Sequence, residues 1–232
     1  MIAVTFALPT ESQEFLRHLS KKSRTRRGGV SATRGRIDDR LIEVLHTGVG
    51  EKVCRQRLEK FLQDQKFDYL IAAGFAGAIN DELQIGDLLV ARNFSTIALN
   101  TKSSSLSSLP IHIADLLTVH ELIDSVEERM KLARTSSAAA VDMETEFIAQ
   151  ACAGRSLPLL SLRVISDTPR HGLPAPANVL FDIEQQRTHM FKLAQHFLAR
   201  PNHVPRLAQF TKRIKSARRT LATALTKVVR DL

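Results

Sequence analysis

The 232-residue chain has no tryptophan, one tyrosine and two cysteines. Each scarcity excludes something. Without tryptophan, with one tyrosine and with no RNA-binding motif, the sequence gives no support to nucleic-acid binding, whatever its net charge of +9 suggests. Cys54 and Cys152 stand in helix-like segments without metal-ligand spacing. That excludes a disulfide framework and a zinc site and leaves them as packing residues, and no other metal or cofactor is expected. Long apolar runs are missing too: Ile2 to Pro9 is too short for a membrane span or a signal core and has no basic segment before it. The expected location is the cytoplasm.

The chain is 44% hydrophobic and 25% charged, enough to bury one full core. Its basicity is local. From Arg206 onward eight basic residues face one acid, Asp231, and the remaining body is close to neutral. In that tail Leu207, Phe210, Ile214, Ala217, Leu221, Leu225 and Val228 recur every three or four residues, which predicts an amphipathic helix with a basic outer face. Residues 1–200 are therefore expected to form the main domain and 201–232 a basic amphipathic helix. That helix has three readings: a cover for its own domain or a second subunit, a peripheral contact with anionic lipid, or a nucleic-acid patch. The first is preferred and the last least favoured.

Along the body, apolar strands alternate with helical patterns, which predicts an α/β fold with a largely parallel or mixed central sheet. Ile2 to Ala7 is strand-like, and Thr10 with Gln13 offers a capping box that would open a helix with Glu11 at its first position. Lys21 to Arg27 reads as an exposed basic stretch before a hairpin over Val30 to Arg36 and Leu41 to His46. Tyr69 to Ala73 reads as a buried strand entering the turn Gly74-Phe75-Ala76-Gly77, and Ser103 to Ser108 as a mobile loop. Two acidic segments carry the chemistry. Val141-Asp142-Met143-Glu144 leads into a helix, and Leu159 to Ile165 is a strand ending in Ser166-Asp167, so each brings a carboxylate to the rim of the sheet. His46 stands at a strand end without an evident partner and His120 beside an acidic run, and both are read as structural or solvent-facing.

Four segments in this order resemble the purine nucleoside phosphorylase and methylthioadenosine/S-adenosylhomocysteine nucleosidase superfamily. They are Ala7 to Glu11, Thr47 to Gly50, the Gly74–Gly77 turn leading to Gly86-Asp87, and Ala140 to Glu144 with Arg163 to Asp167. The resemblance implies a three-layer fold with a central mixed sheet flanked by helices, and a purine nucleosidase that releases adenine from a 5′-substituted adenosine. Breaking the N-ribosidic bond builds positive charge on the sugar and requires a proton on the departing base. By the resemblance Asp167 protonates the purine, and partial burial would help it hold that proton near neutral pH. Glu144 grips the ribose hydroxyls, with Asp142, Met143, Ser166, Phe75, Ala76 and Gly77 around the substrate. Glu11 activates water, with Glu14 one turn on as the other register.

A phosphorylase would need cationic ligands for phosphate, and this chain has Ala72 and Phe75 on the turn where such ligands would stand. Water is thus the expected nucleophile, and a phosphorylase using Arg163 or Arg170 is the enzymatic alternative. A nucleoside-binding or membrane-associated module without turnover is the other, since Phe75 and a short segment between Ala91 and Ala138 depart from the small nucleosidases. The short segment, the Val-Asp-Met-Glu motif and the basic tail look more like the adenosylhopane-cleaving branch, implying a large apolar group on the ribose. The resemblance also implies self-association.

Overall fold

The computed structural model describes the chain except residues 64, 98, 100–105, 183–185 and 187–189, with side chains at 27, 177, 178, 190–192, 194, 196 and 201 also outside the described part. Ten strands and seven helices are described in it. The first half runs β1 (Ile2–Phe6), α1 (Pro9–His18), β2 (Ser20–Arg27), β3 (Val30–Ile37), β4 (Arg40–His46), α2 (Glu51–Leu62), β5 (Tyr69–Ala78) and β6 (Leu88–Ala91). It continues with β7 (Ile111–Ala114), β8 (Leu116–Thr118), α3 (Val126–Thr135), β9 (Ala140–Asp142), α4 (Thr145–Ala153) and β10 (Leu159–Asp167). The C-terminal part is helical: α5 (Ala177–Leu180), α6 (Met190–Ala199), a 3-10 turn at Pro201–His203 and α7 (Val204–Asp231).

The strands form one mixed sheet in the order β2-β3-β4-β1-β5-β10-β6-β7, with β9 joined to β5 and β8 to β9. Strand alternation separates two layers of core. Ile2, Val4 and Phe6 of β1, Ile71 and Ala73 of β5, and Leu160, Leu162 and Val164 of β10 face the layer containing Phe15 of α1 and Leu221, Leu225 and Val228 of α7. Ala3, Leu70, Ala72 and Leu159 face the opposite layer, with Leu58 and Phe61 of α2 and Phe147 and Ile148 of α4. The period of two thus produces the expected helix-sheet-helix sandwich. Ala217, Leu221, Leu225 and Val228 of the α7 stripe belong to the main core, as in the first of the three readings of the tail. No helix among the described residues is long and apolar enough to cross a membrane.

Three expectations need correction. Gly74-Phe75-Ala76-Gly77 is not a turn but the second half of β5, held extended by its parallel pairing with β10 through Gly77. Lys21 to Arg27 is not a plain exposed stretch but lies within the edge strand β2, paired antiparallel with β3. One inward group, Thr25, donates to the buried Glu43 at 2.5 Å, while Lys21, Lys22 and Arg24 remain exposed, a charged edge that discourages further strand pairing. Of the Ser103 to Ser108 stretch, 103–105 lie outside the described residues. Leu106, within the same stretch, is buried in the main core, which a mobile loop would not allow.

Candidate active site

β5 organises the site. It pairs in parallel with β10 and, at its C-terminal end, antiparallel with β9, so Gly77 stands opposite both Asp167 and Val141. This joins the two acidic segments that the sequence keeps apart. The register of β10 shifts between Ile165 and Asp167, and the bulge re-aims Ser166 and Asp167 at the strand's end. Gly77 is required there for close approach: a Cβ would lie 2.8 Å from Asp167 Oδ2 and 3.0 Å from Arg129 Nη1. Asp167 is buried, accepts from Ser166 Oγ at 2.6 Å, and forms an ion pair with Arg129 Nη2.

Glu11 reaches the site from α1. The helix starts two residues earlier than the Thr10-Gln13 pattern predicts, because Pro9 is already suited to a first helical turn and Leu8 takes the cap position. Glu11 is consequently the third helical residue, not the first, and it is buried. Its carboxylate accepts from the backbone N–H of Ala7 at 2.9 Å, Leu8 at 3.1 Å and Phe75 at 3.4 Å. Burial pushes its pKa up, while the Leu8 N–H and the nearby Arg163 cation pull it back.

Glu144 is the cap residue of α4, and its Oε1 accepts from Gly50 N at 3.0 Å. Burial first, and the charge of Asp142 second, push it up to about 8 against the opposing pull of Arg163 and the Gly50 N–H. Asp142 is more constrained. It accepts from Thr118 Oγ1 at 2.8 Å and from the Thr145 N–H at 3.0 Å, and pairs with Arg163 at 2.7 Å. Arg163, on β10, also donates to Thr145 Oγ1 at 2.6 Å. This buried pair braces β9, α4 and β10 against one another.

These groups open onto a cavity of about 460 Å³. Of the site residues proposed from sequence, Glu11, Phe75, Ala76, Gly77, Asp142, Met143, Glu144, Ser166 and Asp167 line it, whereas Glu14, the other register, pairs with Arg17 at 2.9 Å away from it. The remaining wall is largely apolar and includes Leu173, Leu180, Phe181, Leu193, Phe210 and Ile214. Sequence reasoning missed this wall and missed Arg129 and Arg218, which also line the cavity. Phe210 and Ile214 carried a helical-stripe signal, whereas Arg129 lies in an ordinary charged helix and gave none.

Other candidates fall elsewhere. Arg170 is exposed, pairs with Asp81 at 3.0 Å and is absent from the cavity wall. His46 lies 2.7 Å from Ser12 Oγ, and burial with the Arg57 charge lowers its pKa. His120 is largely exposed beside Phe147. Neither lines the cavity. Cys54 and Cys152 are buried, and burial pushes both thiols up to about 12, which makes them inert packing groups. No metal-ligating cluster occurs among the described residues.

Comparison with known proteins finds relatives of the same fold. A 5′-methylthioadenosine/S-adenosylhomocysteine nucleosidase from Staphylococcus aureus (strain JH9) is 22% identical over 196 residues, covering 72% of this chain and 86% of the relative. The solved futalosine hydrolase of Helicobacter pylori strain 26695 superposes with a TM-score of 0.70 at 17% identity, covering 100% of this chain and 97% of the other. A 5′-methylthioadenosine/S-adenosylhomocysteine nucleosidase from Neisseria meningitidis, in complex with methylthio-immucillin-A, gives a TM-score of 0.71 at 15% identity, covering 100% and 99%. The family model described as the phosphorylase superfamily matches residues 1–103 and 95–199, so with the sheet order and the carboxylate-lined cavity in view, the chain belongs to the phosphorylase superfamily.

Proposed function

We propose that this chain is a purine nucleosidase that hydrolyses the N-ribosidic bond of a 5′-substituted adenosine and releases adenine. The observation that carries this reading is the convergence of Glu11, Glu144 and Asp167, all buried, on one cavity from α1, the head of α4 and the end of β10. Glu144 accepts hydrogen bonds from the ribose hydroxyls and places negative charge near the sugar as it becomes cationic. Asp167 gives a proton to the purine. Glu11 takes a proton from the attacking water, its orientation fixed by backbone donors.

Hydrolysis is favoured over phosphorolysis because the arginines that might hold phosphate are engaged. Arg163 is bound to Asp142 and Thr145, Arg129 to Asp167, and Arg170 to Asp81. Arg218 donates to Thr10 O at 3.1 Å and Gln13 Oε1 at 2.9 Å. The apolar wall favours an apolar 5′ group, of the methylthio or adenosylhopane type, over the zwitterionic tail of S-adenosylhomocysteine. Exposed Leu198 and Val204, flanking the turn before the basic outer face of α7, support peripheral contact with anionic lipid.

The test is adenine release, followed by chromatography, from methylthioadenosine, S-adenosylhomocysteine, 5′-deoxyadenosine and a 5′-alkyl adenosine, each with and without phosphate. Release without phosphate, lost in Asp167→Asn and Glu144→Gln, is expected. Release only with phosphate would make the protein a phosphorylase. Tight binding of an adenosine analogue with no release in any arm would make it a binding module.

A further inference from the structure

Arg129 has no role in the reaction as stated so far, yet its guanidinium is among the most confined in the described structure. It is 3% exposed and comes from α3, an element remote in sequence from β10. Nη1 donates to Ala78 O at 2.5 Å and Nη2 to Ile123 O at 2.9 Å, so two backbone carbonyls fix its plane. The same Nη2 meets Asp167 Oδ2, and Ser166 holds the other carboxyl oxygen. Gly77 leaves the space in which this pair packs. An arginine placed only to pack α3 would not need to line the cavity, and this one does.

We infer that Arg129 is a positioning residue for the proposed reaction, holding the Asp167 carboxyl in one orientation and stabilising the carboxylate formed when its proton leaves. The inference rests on the nucleosidase reading. In the step concerned, the Asp167 O–H proton moves to the purine ring nitrogen N7. The C1′–N9 bond breaks with its electron pair passing to the purine, water oxygen bonds to C1′, and Glu11 takes the water proton. The new carboxylate is left facing a fixed cation, which arginine remains at every working pH. Other charged groups around the cavity are Glu11 from α1, Glu121 ahead of α3, Asp142 from β9, Glu144 at α4 and Arg218 from α7. Hydrogen bonds to Asp167 among the described residues come from Arg129 and Ser166.

The experiment is the pH profile of kcat for adenine release in Arg129→Gln, Arg129→Lys and the unchanged protein. The glutamine keeps a donor but removes the charge, and a carboxyl beside an arginine gives up its proton about one to three pH units lower than one without. The expected result is an alkaline limb of kcat moved upward by about one unit or more in Arg129→Gln. The same variant should lose at least about tenfold in kcat at neutral pH with KM nearly unchanged, and Arg129→Lys should restore part of both. Thermal unfolding identifies any variant that fails to fold, in which case Arg129→Lys alone carries the comparison. A folded variant with kcat reduced but the limb unmoved would overturn the inference in favour of a purely structural arginine. Unchanged kinetics would overturn it as well. Absence of release in the unchanged protein would instead remove the nucleosidase reading itself.

Discussion

Glu144→Gln should make the ligand-free protein more stable at alkaline pH while abolishing most of its activity. Glu144 is 6% exposed, and its folded-state pKa is raised from 4.5 to about 8, chiefly by burial and then by the charge of Asp142. The sign follows from linkage: a carboxyl that holds its proton more tightly when folded contributes fully below pH 4.5, and that contribution is lost as pH rises toward 8. A shift of that size corresponds to at most about 5 kcal/mol. Because Glu11, Asp142 and Arg163 share the same volume and readjust when the charge is removed, about 2–3 kcal/mol is the expected gain. Glutamine keeps the acceptor for Gly50 N and needs no proton. Urea unfolding at pH 5 and pH 8.5 measures the difference directly. The two proteins should be nearly equal at pH 5, and the variant should be more stable at pH 8.5. If Glu144→Gln is no more stable at pH 8.5 than at pH 5 relative to the unchanged protein, the buried-carboxylate argument is wrong.

Glu11→Gln should lower kcat by about 10²- to 10⁴-fold while adenine binding, followed by calorimetry, survives. In the unchanged protein the acid limb of kcat/KM should lie above the ordinary carboxylate range, since burial raises Glu11 and the base must be ionised to act. Gly77→Ala drives a methyl group into the Asp167–Arg129 pair, costing about 1–3 kcal/mol in thermal unfolding and lowering adenine release with it. On α7, Leu225→Ala should cost about 2–5 kcal/mol with substrate preference unchanged, because Leu225 is fully buried in the main core. Ile214→Ala, on the cavity wall, should instead raise KM selectively for the longer apolar 5′ groups.

What was legible in the sequence depended on local signals. The apolar runs of β1, β5 and β10 marked the sheet, and the Asp-Met-Glu and Ser-Asp segments marked the carboxylates, because buried runs and strand ends are written in neighbouring residues. β2 was missed because Ser20-Lys21-Lys22-Ser23-Arg24 has no apolar alternation, and only its pairing with β3 makes it a strand. The helix start was misplaced because a hydroxyl two residues along outweighed Pro9, which in the structure takes the first helical position. The arginines were illegible for a different reason. Arg163 finds Asp142 and Arg129 finds Asp167 across separate elements, and nothing in a charged helix marks which cation will be buried.

Those two pairings explain how the remaining acids can act. Of the five carboxylates on the cavity, Glu121 is exposed and Asp142 and Asp167 each have an arginine, whereas the buried Glu11 and Glu144 accept only backbone N–H groups among the described residues. Backbone donors orient a carboxylate without cancelling its charge by a neighbouring side chain, and both glutamates have pKa values raised by burial. The cost of gathering negative charge in a buried space is therefore concentrated on the groups placed to face the sugar. A cation developing at C1′ lowers that cost, so the interaction strengthens as the bond breaks rather than when the neutral substrate binds. The two buried arginines fix the frame at β9 and β10, and the two glutamates between them are the carboxyls whose ionisation a developing cation favours.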